Sequence, residues 1–183
     1  MRTSRGFLVE FVEDRWKALE IIGLYYKGPV KYAEAVLEKW PKSNGVVALI
    51  GGAAAGAEIF YKVDLLTPAC VHYYIAVVPE HRNRGVATQI VQRVEKLCTA
   101  PVYMATTTED NAAALRLFTK LGYTPHRWED IPRRARDFLL KATCGYDDDV
   151  LFIKGADPCE VARRTNDVEK FWLETCLKPY LSL

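Results

Sequence analysis

The sequence predicts an α/β (α+β) protein with a central sheet of about seven strands flanked by helices. Three observations lead there. Apolar runs of strand length alternate with segments of helical period along most of the chain. One run, from Val71 to Val78, is nearly unbroken apolar sequence rich in β-branched and aromatic residues, as in a central strand covered on both faces. It passes through Pro79 and a basic turn straight into an amphipathic helix. With 183 residues, half of them hydrophobic, and a formal net charge of +2, the chain can bury a substantial core. It reads as one domain over 1–183, with a core over 6–156 and a helical extension over 157–183.

Each element has its own justification. Phe7 to Val12 reads as a first strand, and Asp14 then offers a cap for a helix through Trp16, Leu19, Ile22 and Tyr26. Gly28-Pro29 punctuates it. Val30, Ala33, Leu37 and Trp40 mark a second helix, stopped by Pro41. Gly45–Ile50 and Ala57–Leu66 follow as strands, the latter alternating Ile59, Tyr61, Val63 and Leu65 with Glu58, Phe60, Lys62 and Asp64. Pro79 ends the strand that begins at Val71, and Val86, Ile90, Val94 and Leu97 recur at helical spacing from Gly85 onward. Val102 to Thr108 reads as a strand, followed by a short helix from Asn111 that Gly122 stops.

Two closing strands, Thr124–Ile131 and Asp149–Gly155, bracket an extra helix that begins at Pro132 and runs through Ala135, Phe138, Leu139 and Ala142. Arg133, Arg134, Arg136 and Lys141 form its wet side, a solvated face as for most charge runs. Asp157-Pro158 starts a C-terminal helix in which Val161, Thr165, Val168 and Trp172 share a stripe that must pack somewhere. No internal repeat, low-complexity tract or linker argues for a second domain.

Composition excludes several classes. The mild basicity is local, without the positive stripe of a nucleic-acid binder. The five cysteines, Cys70, Cys98, Cys144, Cys159 and Cys176, are scattered and odd in number, so reduced thiols are expected rather than a disulfide framework or a zinc site. The residues before Glu10 do not form a secretory signal, and no run reaches membrane length. A cytoplasmic protein with no metal and no membrane partner is the expectation.

The chemistry concentrates at Val77-Val78-Pro79-Glu80-His81-Arg82-Asn83-Arg84-Gly85-Val86-Ala87. The first N–H groups of a helix lack intrahelical partners, and the helix dipole adds positive partial charge, so a phosphate is favoured at this turn. Gly85 and Ala87 keep the backbone accessible, while Arg82 and Arg84 can add charge-assisted hydrogen bonds. The spacing of valine, proline, arginine, glycine and alanine resembles the acetyl-CoA signature of the GNAT superfamily of N-acetyltransferases. A second segment, Tyr103 to Tyr123, supplies an asparagine (Asn111), an aromatic residue seven positions on (Phe118) and the ending Lys120, Gly122 and Tyr123. Its wording is most similar to the hookless-type branch of that superfamily, and the two segments together span about Val71 to Tyr123.

The resemblance implies a mixed sheet and acetyl-CoA as acyl donor, with an amine of a small molecule or of a peptide or protein as acceptor; a homodimer stays open. It assigns the donor site to Val77, Val78, Arg82, Asn83, Arg84, Gly85, Val86, Ala87, Thr88, Asn111 and Phe118. The pantetheine arm would lie as a pseudo-strand between splayed strands, with backbone N–H groups near Val77 and Val78 facing the thioester oxygen. The chain departs from the family's pattern in proton handling. Phe118 stands where many relatives carry a tyrosine acid, and Val71 where a base often stands. His72, Tyr73 and Thr106 are the remaining catalytic candidates. For each a plain alternative exists: a core histidine with satisfied nitrogens, a packing tyrosine, a strand threonine. The run Asp147-Asp148-Asp149 reads as a polar turn without a metal-ligand pattern. Two other functions compete: an acyl-CoA-binding module without catalysis, and an interaction protein that uses the last helix.

Overall fold

A computed structural model describes residues 6–182; the expected domain bounds run past them to residues 1–5 and 183, which lie outside the described residues. The elements are β1 (Glu10–Glu13), α1 (Arg15–Tyr25), α2 (Lys31–Lys39), β2 (Ser43–Ile50), β3 (Ala53–Asp64), β4 (Pro68–Val77), α3 (Val86–Leu97), β5 (Val102–Thr107), α4 (Ala112–Lys120), β6 (Thr124–Arg127), α5 (Arg133–Thr143), β7 (Val150–Lys154), α6 (Pro158–Val161), α7 (Asn166–Trp172) and α8 (Lys178–Leu181). The seven strands form one sheet in the order β1-β2-β3-β4-β5-β7-β6. Among the described residues only β4 and β5 run parallel.

Helices cover both faces, which explains why β4 reads as apolar on both sides. On one face Tyr61, Val71, Met104, Leu151 and Ile153 meet Val36 and Trp40, Leu139 of α5 and Phe171 of α7. Ala18, Ile22, Ala33 and Leu37 pack beside them on Val47, Ala57 and Ile59. On the other face Val86, Ile90 and Val94 of α3 sit on Val46, Ala48, Phe60 and Cys70, and Phe118 of α4 joins Tyr123 on Ala105, Val150 and Phe152.

The C-terminal extension completes the core. Phe171 is fully buried, stacks on Tyr61 with ring centroids 4.4 Å apart and meets Trp40 edge-on at 5.3 Å. Burying a side chain of this size stabilises a fold by about 1.5–3 kcal/mol. The single helix expected there is instead broken after α6. Thr165, expected mid-stripe, is extended (φ −129°, ψ 156°) and caps α7, accepting from Val168 N at 3.2 Å while its hydroxyl donates to Asp64 O at 2.7 Å. α7 continues through a π-helical stretch, Leu173–Leu177, into α8.

The strand expected over Thr124–Ile131 is also shorter. It ends at Arg127, where Trp128–Asp130 turns into a 3-10 helix that carries the Trp128 ring into the core.

The cysteines correct the sequence expectation most plainly. Cys70 of β4 is disulfide-paired with Cys98 at the end of α3, and Cys144 after α5 with Cys176. Cys159 is free and exposed. Neither partner of a pair lies near the other in sequence; α3 folding back on β4, and the C-terminal helices lying against α5, bring them together.

Candidate active site

β4 and β5 pair only from Ala69 opposite Val102 to His72 opposite Ala105, and then separate. On its other edge β4 carries a bulge: Tyr74 faces Ile59 and His72 faces Phe60, leaving Tyr73 as the extra residue. The register also fixes where the amides point. Val77 faces Gly56, and Val78 N–H donates to Ala55 O at 2.8 Å, the mark of a non-hydrogen-bonded pair at Val77. The N–H and C=O of Val77, and by alternation those of Ile75, are therefore turned from β3 toward the gap. This corrects one expectation: Val78 N–H is engaged, and Val77 and Ile75 present the amides.

The turn that follows forms the cradle. Asn83 (φ 60°) and Gly85 (φ 78°) take left-handed conformations, and Gly85 becomes the N-cap of α3 without any side chain capping the helix. The first amides, on Val86, Ala87 and Thr88, are thus left to an outside acceptor. A Cβ built on Gly85 would meet nothing within 4 Å, so the left-handed backbone alone calls for glycine here, and the space beyond it is open. Arg82 Nε donates to Val77 O at 3.1 Å, tying the turn to the strand end, and the Arg84 guanidinium sits 5.0 Å from the Phe7 ring centroid. The uncapped amides, open space and two arginines fit a pyrophosphate.

A cavity of about 860 Å³ extends from this end of the gap. Val77, Ala87, Asn111 and Phe118 line its cradle side; Asn111 also caps α4, accepting from Ala114 N at 3.1 Å. The far side is aromatic. Six of the chain's ten tyrosines line the cavity, with Tyr26 and Tyr73 both meeting Tyr74 edge-on at 4.9 and 4.6 Å. Asp147 and Asp148 are its carboxylates, and among the described residues no lysine or arginine lines it.

The three catalytic candidates all reach this cavity, in different states. His72 has both ring nitrogens occupied: Nδ1 meets the fully buried Glu58 Oε1, and Nε2 lies 2.8 Å from Tyr123 Oη. Burial pushes the Glu58 carboxyl up, with His72 opposing, and a single proton lies between Oε1 and Nδ1. Nε2–H then donates to Tyr123 Oη, and the Tyr123 hydroxyl donates to Glu95 Oε1 at 2.7 Å, where Lys154 Nζ also binds at 2.8 Å. Every link in this chain has one proton, and none of the imidazole nitrogens is left for a substrate. Tyr73 is packed against Tyr61 and Tyr74, and burial holds its hydroxyl far above the ordinary range. Thr106 donates its hydroxyl to Asp148 Oδ2.

Asp148 is the residue that the sequence reading placed in a mere turn. That turn is pinned at several points: Asp148 N donates to Gly145 O at 3.2 Å, Asp149 N to Thr107 O at 3.0 Å, and Glu109 N to Asp149 Oδ2 at 3.0 Å. Gly145 allows it to press on β5, since a Cβ there would stand 2.9 Å from Thr106 Cγ2 and 3.2 Å from the Trp128 ring. Burial raises the Asp148 carboxyl above the usual aspartate range, the Thr106 hydrogen bond opposes this, and Asp147 and Asp149 add to it. The only sequence signal was three acids before a strand.

Known proteins share this architecture. The sequence pattern described as "Acetyltransferase (GNAT) family" matches residues 8–123, more than half of the chain. Acetyl transferase GW6a of Oryza sativa subsp. japonica is 47% identical over 58 residues, which cover 29% of this chain and only 14% of that protein. A GNAT-family acetyltransferase of Staphylococcus aureus Mu50 superposes with a TM-score of 0.61 at 10% identity, over 80% of this chain and 98% of that one. A GNAT-family acetyltransferase of Elizabethkingia anophelis, solved with acetyl-CoA bound, gives 0.55 at 13% identity, over 79% and 96%. With the family pattern matched over residues 8–123, the cradle included, the chain belongs to the acetyltransferase (GNAT) family.

Proposed function

We propose that the protein is an acetyl-CoA-dependent N-acetyltransferase that passes an acetyl group directly to an amine within a ternary complex. One observation carries this: a single cavity joins the gap between β4 and β5, at the uncapped N-terminus of α3, to a polar and aromatic chamber. The amides of Val86, Ala87 and Thr88, with Arg82 and Arg84, would hold the pyrophosphate, and the gap-facing edge of β4 would pair with the pantetheine amides. Acetyl-CoA supplies an activated thioester. The backbone amides at Ile75 and Val77 face the region where the thioester oxygen gains negative charge, and fixed dipoles of this kind typically account for about 10²–10³-fold in rate. The solved neighbour with acetyl-CoA bound supports the donor assignment.

A second reading, an acyl-CoA-binding module without catalysis, is favoured by Phe118 and Val71, which can neither donate nor accept a proton; both are buried. Calorimetry with coenzyme A, run beside a coupled assay of thiol release over a panel of amines, separates the two. The transferase reading expects saturable binding and turnover. Binding without turnover on any amine supports the module, and absence of binding removes both.

A further inference from the structure

Resting on the reading of this cavity as an acyl-transfer site, we infer that the acceptor is a primary ammonium on an apolar or aromatic arm, and that Asp148, held by Thr106, anchors its charge and takes its proton.

The chamber's composition selects the class. An acidic or phosphorylated acceptor would meet Asp147 and Asp148 with no lining lysine or arginine to balance it. An ammonium finds those carboxylates beside the rings of Tyr26 and Tyr74, and aromatic rings attract a cation through their quadrupoles, as the Tyr32 ring already does for Lys31 Nζ at 5.3 Å. These rings and the acids form one neighbourhood: Asp148 is among the charges that raise the Tyr26, Tyr73 and Tyr74 hydroxyls, and Asp147 among those that raise Tyr32. A neutral or hydroxyl acceptor would leave the partly desolvated carboxylate without a counter-charge.

Placement selects Asp148 over the other acids. Thr106 stands on β5 just past the last residue paired with β4, where the gap opens, and its hydroxyl fixes Asp148 Oδ2. A carboxylate that is partly desolvated is a better proton acceptor than a solvated one, as a general base near neutral pH requires. The balance is R–NH3+ plus acetyl thioester giving R–NH–acetyl, coenzyme A thiol and one proton. The N–C bond forms and the C–S bond breaks. One nitrogen proton goes to Asp148 and on to solvent; the second equals the proton gained by the sulfur.

The test has a binding arm and a rate arm. Without any donor, calorimetry compares 2-phenylethylamine, an ammonium at neutral pH, with neutral 2-phenylethanol. The wild type should prefer the ammonium by about 10-fold or more, and Asp148→Asn should erase the preference. With donor, Asp148→Asn should lower kcat/KM at least about 100-fold with coenzyme A affinity unchanged. Its melting temperature should hold or rise, since a partly buried charge is removed. Thr106→Val should move the acid limb of the kcat/KM profile to higher pH, because it removes the one bond that favours the carboxylate. The groups facing Asp148 in that profile are Asp147 and Asp149 on its own turn, Tyr73 and Tyr74 of β4, and Tyr26 at the end of α1. Nα-acetyl-lysine amide, with its ε-amine free, and a lysine-free peptide with a free N-terminus, run beside 2-phenylethylamine, assign the ammonium to a side chain, a chain end or a small molecule. Equal affinity for the ammonium and the alcohol, or an Asp148→Asn enzyme with the wild-type rate, overturns the inference. A wild type that binds no coenzyme A overturns the acyltransferase reading instead.

Discussion

The two halves of the cavity are built by different means. The cradle half is backbone: amides of one turn and one helix start, contributed by residues 82–88 in a single stretch of chain. The chamber half is side chain, drawn from α1, α2, β4, β5, the turn before β7 and the C-terminal helices. Backbone sites depend on where glycine permits a left-handed turn and tolerate most neighbours; side-chain sites depend on every element that brings a group in. It follows that the halves should fail separately under mutation.

The largest separation is expected from Gly85→Val. A β-branched residue at φ 78° is strained, and its side chain fills the space left for the ligand. Coenzyme A affinity measured by calorimetry should fall by about 100-fold or more, a loss of roughly 2.8 kcal/mol, while phenylethylammonium binding persists. Asp148→Asn should show the reverse pattern.

A change between the halves should strike the fold instead. His72→Phe leaves Glu58 buried without a partner, and Glu58 Oε2 already has none. Leaving a buried carboxyl without its partner in this way costs about 1–3 kcal/mol, to be read from urea denaturation. Glu58→Gln tests the same pair through pH. The folded-state value of Glu58 is raised, so its contribution to stability is fullest below the unfolded carboxyl value and is lost as pH rises through the folded one. The wild type should therefore lose stability relative to Glu58→Gln as pH climbs from about 4.3 toward neutrality. A constant difference across that range would contradict the raised Glu58 carboxyl.

Smaller effects sharpen the contrast. Gly145→Ala should push the acidic turn off Thr106 and Trp128, lowering kcat/KM about 10-fold with donor affinity intact, by the geometric sensitivity of aligned reactants. Arg84→Gln should weaken coenzyme A by only a few fold, the worth of one exposed charge-assisted bond.

The same division explains what the sequence made legible. The strand order along the chain, the cradle from Pro79 to Thr88 and the Asn111 cap all follow from local chemistry: a proline stop, a left-handed glycine, a polar residue before an apolar helix. Tyr26, Tyr32, Tyr146 and Tyr180 gave no signal, because nothing in a one-dimensional pattern states that α1, α2, the turn after α5 and the last helix converge. Asp148 looked like its neighbours until Gly145 let the turn settle on β5. Cys70 and Cys98, likewise, meet through a helix reversing over its own strand. His72 was legible as a histidine in an apolar strand, but its partners Glu58 and Tyr123, and Glu95 behind Tyr123, come from three other elements or turns.

The most direct test of the central claim is a single turnover assay: enzyme with saturating acetyl-CoA and 2-phenylethylamine, followed by mass spectrometry for N-acetylated amine and by thiol release. Equal amounts of acetylamine and free coenzyme A, lost together in Gly85→Val and in Asp148→Asn, are the predicted result. Coenzyme A binding with no acetylamine formed from this or any other ammonium acceptor would contradict it.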